Sequence, residues 1–525
     1  MKFLRVLCVV ALVAFFAASA YAETQNVKVS GDLAIRGIWR DNYGLDGSFV
    51  SQNEQNTRTV AFGSTGLQDD NRQGIDRPNS QFFMSTTEVQ IDADLTDNVS
   101  TCVRLLNQRD WNVARSWDYN TANRQVSTLG SGGYGHSNHY YDDPNEFAVD
   151  LELAYVTLKN FIYSPLTVSV GRQNLWFGKG FIVGQNQRIN NAFNYGVANQ
   201  PSPLSAPEYS ALNAFDSVKA VLDFDPWTLT GIYSKIWGNS IQADDGVDLW
   251  GANVGYKFDA YKGEAEGYWF FKRDMQVKQW ANIEGANNIH TLGLRGSFDP
   301  IDIVTVYAEF AGQFGSYMDS PLQTNSRSRV AGALDVGVDV RYFTDKWAWK
   351  PKLGFEYIWY SGNGPEDAGN GTRIAGSGQY HGWDPMFRGK SDSLIREYIG
   401  RYYFSGTYPF DTGRYYNSAD ASFQNQHQII FKGSLQPMDS LKLNGNLNMF
   451  WNQEAYLASI GKSCGYIGTE LDLGATWDYT EDVSFNLVAG WFVPGEVYNV
   501  KDDRIGQISG TNTATDVVAS VKVSF

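Results

Sequence analysis

The sequence predicts an all-β protein: a transmembrane antiparallel β-barrel of about 18 strands, with short turns at one end and long loops at the other. Three observations predict it. Apolar and polar residues alternate in segment after segment, as the two-residue period of a strand requires. The connections between these segments are alternately short and long. Aromatic residues collect at both ends of the apolar faces. Mean hydropathy is only -0.35. A barrel shows its apolar residues at every second position, so averaging conceals them.

The first residues read as a processing signal. Lys2 and Arg5 form a basic start, Val6 to Ala18 is apolar, and Ala20-Tyr21-Ala22 is a small-residue cleavage site. Residues 1–22 are therefore expected to be removed, leaving a single barrel domain over residues 23–525. No later stretch has the length and apolarity of a transmembrane helix.

The first strand, Val27 to Trp39, puts Val27, Val29, Leu33, Ile35 and Trp39 on one face and Lys28, Ser30, Asp32 and Arg36 on the other. After a long polar segment, Phe83 to Leu95 sets Phe83, Val89, Ile91, Ala93 and Leu95 against Glu88, Gln90, Asp92 and Asp94. The turn formers Thr96-Asp97-Asn98 follow, then a third strand over Val99 to Asn107. Further short turns are expected at Asp225-Pro226, Asp259-Ala260, Asp299-Pro300, Thr344-Asp345, Pro437-Met438-Asp439 and Thr480-Glu481-Asp482. Long loops are expected near 111–145, 174–213, 238–247, 272–287, 314–328, 361–424, 452–465 and 493–512. The last strand carries Val517, Ala519, Val521, Val523 and Phe525 on one face and Ser520, Lys522 and Ser524 on the other.

Aromatics test this layout. Trp227, Tyr256, Phe258, Phe298, Tyr342, Trp477 and Tyr479 lie beside short turns; Trp39, Tyr233, Trp269, Trp359, Trp451 and Trp491 lie beside long loops. Two belts on one face are what two membrane interfaces require. The composition agrees, with 15% aromatic residues, 52 Gly and only 15 Pro.

The polar face then lines a lumen. Its basic residues are Arg36, Arg104, Lys219, Lys257, Arg295, Arg341, Lys352, Lys432, Lys442 and Lys522; acidic residues on the same face outnumber them. Charged rings are one way a pore selects its solute, whereas many luminal charges simply pair across neighbouring strands. A net charge of -15 argues against nucleic acid as a partner. Among loop residues, Lys179, Arg188, Arg388, Lys390, Arg396 and Arg401 are candidates to narrow the lumen.

Several segments resemble a known family. VGRQNLWFGKGFIVG (Val170 to Gly184) is similar to the G-R-Q segment of the alginate-export family of outer-membrane proteins. So are DLTDNVSTCVRLLNQRDW (Asp94 to Trp111), AFDSVKA (Ala214 to Ala220), PKLGFEYIWYSGNG (Pro351 to Gly364) and WDPMFRG (Trp383 to Gly389). The terminal strand, ending on Phe525, resembles the last strand of bacterial outer-membrane barrels. The resemblance implies an outer-membrane location in a Gram-negative-type bacterium, with a lipid bilayer and lipopolysaccharide around the barrel. It also implies insertion by the barrel-assembly machinery, no cofactor, and a channel for an acidic polysaccharide or oligosaccharide. Arg104, Arg172, Gln173 and Asp216 match family positions. The substrate-contacting residues expected are Arg104, Lys219, Arg172, Gln173, Arg295, Arg341 and Lys352. By strand parity Arg172 falls on the apolar face with Val168 and Val170, so a place at the outer rim is the alternative for it.

Other readings are a general or substrate-selective diffusion porin, passing a neutral or anionic glycan, and an outer-membrane hydrolase. No enzyme is expected. The histidines are scattered, and neither G-x-S-x-G nor H-E-x-x-H occurs. His136 and His139 with Asp142 and Asp143 make a weak metal candidate, and the acidic tips Asp69-Asp70 and Asp502-Asp503 lack a calcium-loop pattern. Cys102 and Cys464 sit in different contexts, so no disulfide is expected.

Overall fold

A computed structural model describes residues 26–42, 79–111, 149–186, 206–237, 246–275, 286–318, 326–341, 348–362, 379–389, 392–398, 423–457, 463–496, 501–502, 506–507 and 512–525. Residues 1–25, Tyr342, Thr344-Asp345, His136, His139, Asp142, Asp143, Asp69-Asp70 and Asp503 lie outside them.

Eighteen strands form one sheet. They are β1 (Asn26–Asp41), β2 (Asn79–Thr96), β3 (Val99–Asp110), β4 (Asp150–Leu158), β5 (Leu166–Gln173), β6 (Phe215–Asp223), β7 (Trp227–Trp237), β8 (Val247–Phe258) and β9 (Gly263–Asp274). They continue as β10 (Asn287–Ile301), β11 (Val304–Met318), β12 (Ser326–Val340), β13 (Lys352–Tyr360), β14 (Gln426–Met438), β15 (Leu441–Leu457), β16 (Ser463–Asp478), β17 (Val483–Pro494) and β18 (Ala514–Ser524). Each pairs antiparallel with its sequence neighbours, and β18 pairs with β1 over Asp32↔Ser524 to Asp41↔Thr515. The sheet is closed and has no edge, the condition for satisfying backbone groups in lipid. Strands about 4.8 Å apart and tilted about 40° give a circumference of roughly 110 Å and a diameter of about 36 Å. Such a barrel is open unless something fills it.

Alternation sets which way each side chain points. Outward positions such as Val29, Ile91, Leu105, Leu294 and Leu473 are exposed apolar residues. The belts are present: Trp227 contacts Tyr256 and Trp477 contacts Tyr479 at the short-turn end. At the long-loop end an outward row runs across five neighbouring strands, Tyr233, Trp250, Phe271, His290 and Phe314, with successive ring centroids 4.3 to 5.5 Å apart.

Two turns differ from expectation. β10 continues through Asp299-Pro300 to Ile301, with a register shift after Phe298, and turns at Asp302-Ile303. β14 continues through Pro437 to Met438, shifted after Leu435, and turns at Asp439-Ser440. Proline has no N–H to give the ladder, so it sits where the ladder is interrupted. A further short connection, Lys159 to Pro165, joins β4 to β5 and carries Asn160 and Ile162 at positive φ.

Candidate functional site

The inward face is not polar throughout. Near the long-loop end β6 to β14 turn Phe215, Ile232, Leu249, Phe270, Ile289, Ile358 and Ile430 inward, all buried. Two loop segments cover them. Leu175, Phe181, Ile182 and Val183 come from the segment after β5; Trp383, Met386 and Phe387 come from the segment between β13 and β14. Burying each large apolar side chain contributes roughly 1.5–3 kcal/mol, so this cluster holds both segments inside the barrel. They also join each other. Phe387 N–H donates to Ile182 (2.9 Å), Gly184 N–H to Phe387 (2.7 Å), and Gly389 N–H to Gly180 (2.7 Å). Two motifs far apart in the sequence, VGRQNLWFGKGFIVG and WDPMFRG, are thus one structure.

Polar contacts fix that structure to the wall. Lys272 of β9 donates to Asp384 at 2.6 Å. The Gln313 side chain clasps the Asp384 backbone both ways, donating to its carbonyl (2.7 Å) and accepting from its N–H (2.8 Å). Arg329 of β12 donates to the Gly382 carbonyl at 2.7 Å and lies over the Tyr380 ring. Burial alone would raise the Asp384 pKa, but the charges of Lys272 and Arg329 outweigh it and hold the carboxyl below its ordinary value. Lys179 reaches Glu356 (3.3 Å) and Asp335 (3.7 Å) on β13 and β12, with Tyr307 beneath its ammonium.

Residues 206–214 form another inward segment. Gln108 of β3 donates to Ser210 (2.8 Å) and accepts from Ala211 N–H (3.1 Å). Glu152, at a register shift in β4, accepts the N–H groups of Asn213 (2.9 Å) and Ala214 (3.1 Å). Tyr209 packs against the cluster of Ile38, Met84 and Val518. Two strands from β18, Glu470 of β16 accepts the N–H groups of Leu394 (2.6 Å), Ile395 (3.0 Å) and Arg396 (2.6 Å).

Beneath residues 206–214 lies a cavity of about 270 Å³ lined by Asp32, Arg36, Glu88, Arg104, Glu152, Tyr209 and Lys522, with Asn174 at its margin. Arg36 donates to the Thr86 hydroxyl at 3.0 Å and lies over Tyr209. Arg104 donates twice to the Gln90 amide oxygen, at 2.9 and 2.5 Å, and stands 3.6 Å from Glu88. Lys522 pairs with Asp32 at 3.1 Å.

The residues expected to contact substrate are distributed as follows. Arg104 lines the cavity beside Arg36. Lys219 faces the lumen between Ser169 and Ile232, and no ion pair is formed to it among the described residues. Arg295 is luminal but held by Glu264 and Glu266, each at 2.5 Å. Arg341, near the short-turn end, pairs with Asp299 at 3.3 Å and Thr305 at 2.6 Å. Lys352 begins β13 on the inward face and is exposed. Gln173 points inward, but both its amide hydrogens go to backbone, the carbonyls of Ser169 (3.2 Å) and Ser217 (3.1 Å), and it is buried. Arg172 points outward. The β4–β5–β6 register is unbroken there, and Arg172 pairs with Asp216 at 3.4 Å. It begins an outward row of alternating charge, Arg172, Asp216, Lys235, Asp248 and Arg273, one step beyond the aromatic row. Of the loop cations, Arg388 is packed over Phe181 and Phe423 and Arg396 bonds Gln426; Arg188, Lys390 and Arg401 lie outside the described residues. Sequence reasoning missed Trp176, Tyr209, Lys272, Arg329 and Asp384. Trp176 and Asp384 lie in two of the quoted motifs, and the apolar run Phe181-Ile182-Val183, in a segment with no strand to continue, was the other signal for an inward loop.

Solved structures resemble this chain at low identity. OccAB2 of Acinetobacter baumannii is 9% identical over 96% of this chain and 99% of that one, with a TM-score of 0.48. OpdK of Pseudomonas aeruginosa, solved with vanillate, is 9% identical over 95% and 99%, with a TM-score of 0.46. The outer membrane protein OmpT of Vibrio cholerae is 10% identical over 95% and 99%, with a TM-score of 0.35. No curated protein matches the sequence. Residues 66–511 match the family model described as alginate export. That match takes in both inward motifs and most of the strands, and the chain belongs to the alginate export family.

Proposed function

We propose that this outer-membrane channel passes an acidic polysaccharide or oligosaccharide. The family match supports that class of cargo. The observation that carries the reading is the pair Arg36 and Arg104. Neutral oxygens of Thr86 and Gln90 hold both guanidiniums at hydrogen-bonding distance on the wall of the cavity. A guanidinium offers several N–H donors in a plane that matches a carboxylate, so a uronic-acid group can compete there with the long, 3.6 Å pairing of Arg104 to Glu88. Lys219 adds a luminal cation without an ion pair among the described residues. Asp32 and Glu88 stand close by and weaken the hold on any anion. Passage needs that weakness, since a solute must leave as readily as it enters.

A second reading, a selective diffusion porin, has its own support. The cavity carries Arg36, Arg104 and Lys522 against Asp32, Glu88 and Glu152, a balance that suits a neutral solute equally. Both readings are of transport rather than hydrolysis. Planar-bilayer recording tests them. A purified protein that forms no pore defeats both. Anion preference in a salt gradient, with block by a uronic-acid oligomer, supports the first. Cation preference without such block overturns it and leaves the second. We propose too that residues 1–22 are removed, that residues 23–525 form the single barrel, and that the barrel-assembly machinery inserts it beside lipopolysaccharide. An intact mass of the membrane form beginning at Glu23 tests the cleavage.

A further inference from the structure

Trp176 is out of place for a packing residue. It is 54% exposed, while Leu175 before it is buried and Phe177 after it packs on the cluster against the wall. Its side chain therefore points away from the wall, into the barrel. In the inward segments 174–186, 206–214, 379–389 and 392–398, no other large apolar side chain is exposed among the described residues.

The indole is seated. A Cβ added at Gly180 would stand 2.6 Å from Trp176 Cζ2, one at Gly389 2.7 Å from Cη2, and one at Gly184 3.1 Å from Cε3. Three glycines from both inward motifs thus clear the space in which the ring lies. The indole N–H donates to the Gly178 carbonyl at 2.9 Å, which fixes the ring's rotation. The Gly389-to-Gly180 backbone bond holds the two sides of the seat together. Even so seated, the side chain keeps more than half of its surface open. Asn174, two residues earlier on the same segment, lines the cavity with Arg36 and Arg104.

A rigid indole, seated yet open to a polar lumen, has a chemical complement. Its ring face is apolar and electron-rich. A pyranose ring has an apolar face of C–H groups carrying partial positive charge, ringed by hydroxyls that stay in water. We propose that Trp176 is a stacking platform for a pyranose ring of the transported glycan. The inference rests on the glycan reading of the channel and adds a ring contact to the charge contacts at Arg36 and Arg104. Because stacking reads the ring and not the carboxylate, acidic and neutral sugars share it.

Single-channel recording tests it, with a uronic-acid hexamer and the neutral maltohexaose as blockers. Trp176→Leu fills the seat without an aromatic face. It is expected to shorten the block by both sugars about tenfold, and Trp176→Phe is expected to keep most of it. Reversal potential should stay at the wild-type value in both, since no charge changes. Gly389→Ala, which pushes a methyl into the seat, should shorten the block in the same direction. Leu-variant block times equal to wild type overturn the platform and leave glycan passage standing. A wild-type channel that neither sugar blocks overturns glycan passage itself, and the platform with it.

Discussion

Lys272 of β9 and Asp384 of the inward loop meet at 2.6 Å with both side chains almost entirely buried, 10% and 3% exposed. The pair ties a loop to the wall where little water reaches either partner. Removing one partner of a buried pair leaves the other charge uncompensated, at a cost of about 3–5 kcal/mol. Lys272→Ala and Asp384→Ala are each expected to unseat residues 383–387 and raise single-channel conductance. The double variant should cost less than the two singles together, since no lone charge remains. Conductance equal to wild type in both singles would show that the apolar cluster holds the loop unaided.

Arg104 and Arg172, both expected to contact substrate, face opposite ways. Arg104→Ala is expected to move the reversal potential toward cations, and Arg36→Ala and Lys219→Ala in the same sense. Arg172→Ala should leave it unchanged, because its guanidinium meets Asp216 on the outer face. The Arg104 shift should shrink as salt is raised. Equal shifts from Arg104 and Arg172 would contradict the register.

Glu470 is fully buried and accepts three successive backbone N–H groups, from Leu394 to Arg396. Glu470→Ala leaves these donors without an acceptor, at about 1–3 kcal/mol each. The expected outcome is faster proteolysis within residues 392–398 and noisier open-channel current, with the barrel itself intact. Glu470→Gln keeps an acceptor oxygen and should fall between the two.

Closure depends on Gly31. Its N–H donates to the Phe525 carbonyl at 2.8 Å, and Phe525 N–H donates back at 2.9 Å. A Cβ at Gly31 would come within 2.5 Å of the Phe525 ring and 2.6 Å of the Glu88 carbonyl oxygen. Gly31→Val is therefore expected to lower the temperature at which the folded gel band converts to the unfolded one. Phe525→Ala removes the ring from the clash and should recover part of that loss in the double variant.

The barrel was legible because alternation over many residues is a strong signal. Val517, Val521 and Val523 share an outward face with Phe485 and Ile35, as their pattern implied. Prolines misled the placement of two turns, since Pro300 and Pro437 mark interrupted ladder rather than chain reversal. The inward loops were not legible. On β7 to β10 the inward Ile232, Leu249, Phe270 and Ile289 alternate with the outward Tyr233, Trp250, Phe271 and His290, so the contrast between faces is lost there. Which loop covers such a wall depends on pairings across the chain that periodicity does not encode. Strand parity placed Arg172 correctly as an alternative; the backbone role of Gln173 needed the neighbouring carbonyls of β5 and β6.

The bond between Phe387 and Ile182 has a consequence for biogenesis. The segment after β5 and the segment that completes its seat are about 200 residues apart, so neither is seated until both lie inside one barrel. A barrel of this girth inserted without its loops would be a leak in the cell envelope. Keeping the envelope tight therefore depends on contacts between two distant parts of the chain as well as on the wall, and variants that loosen them are expected to let antibiotics and detergents in before they measurably weaken the barrel.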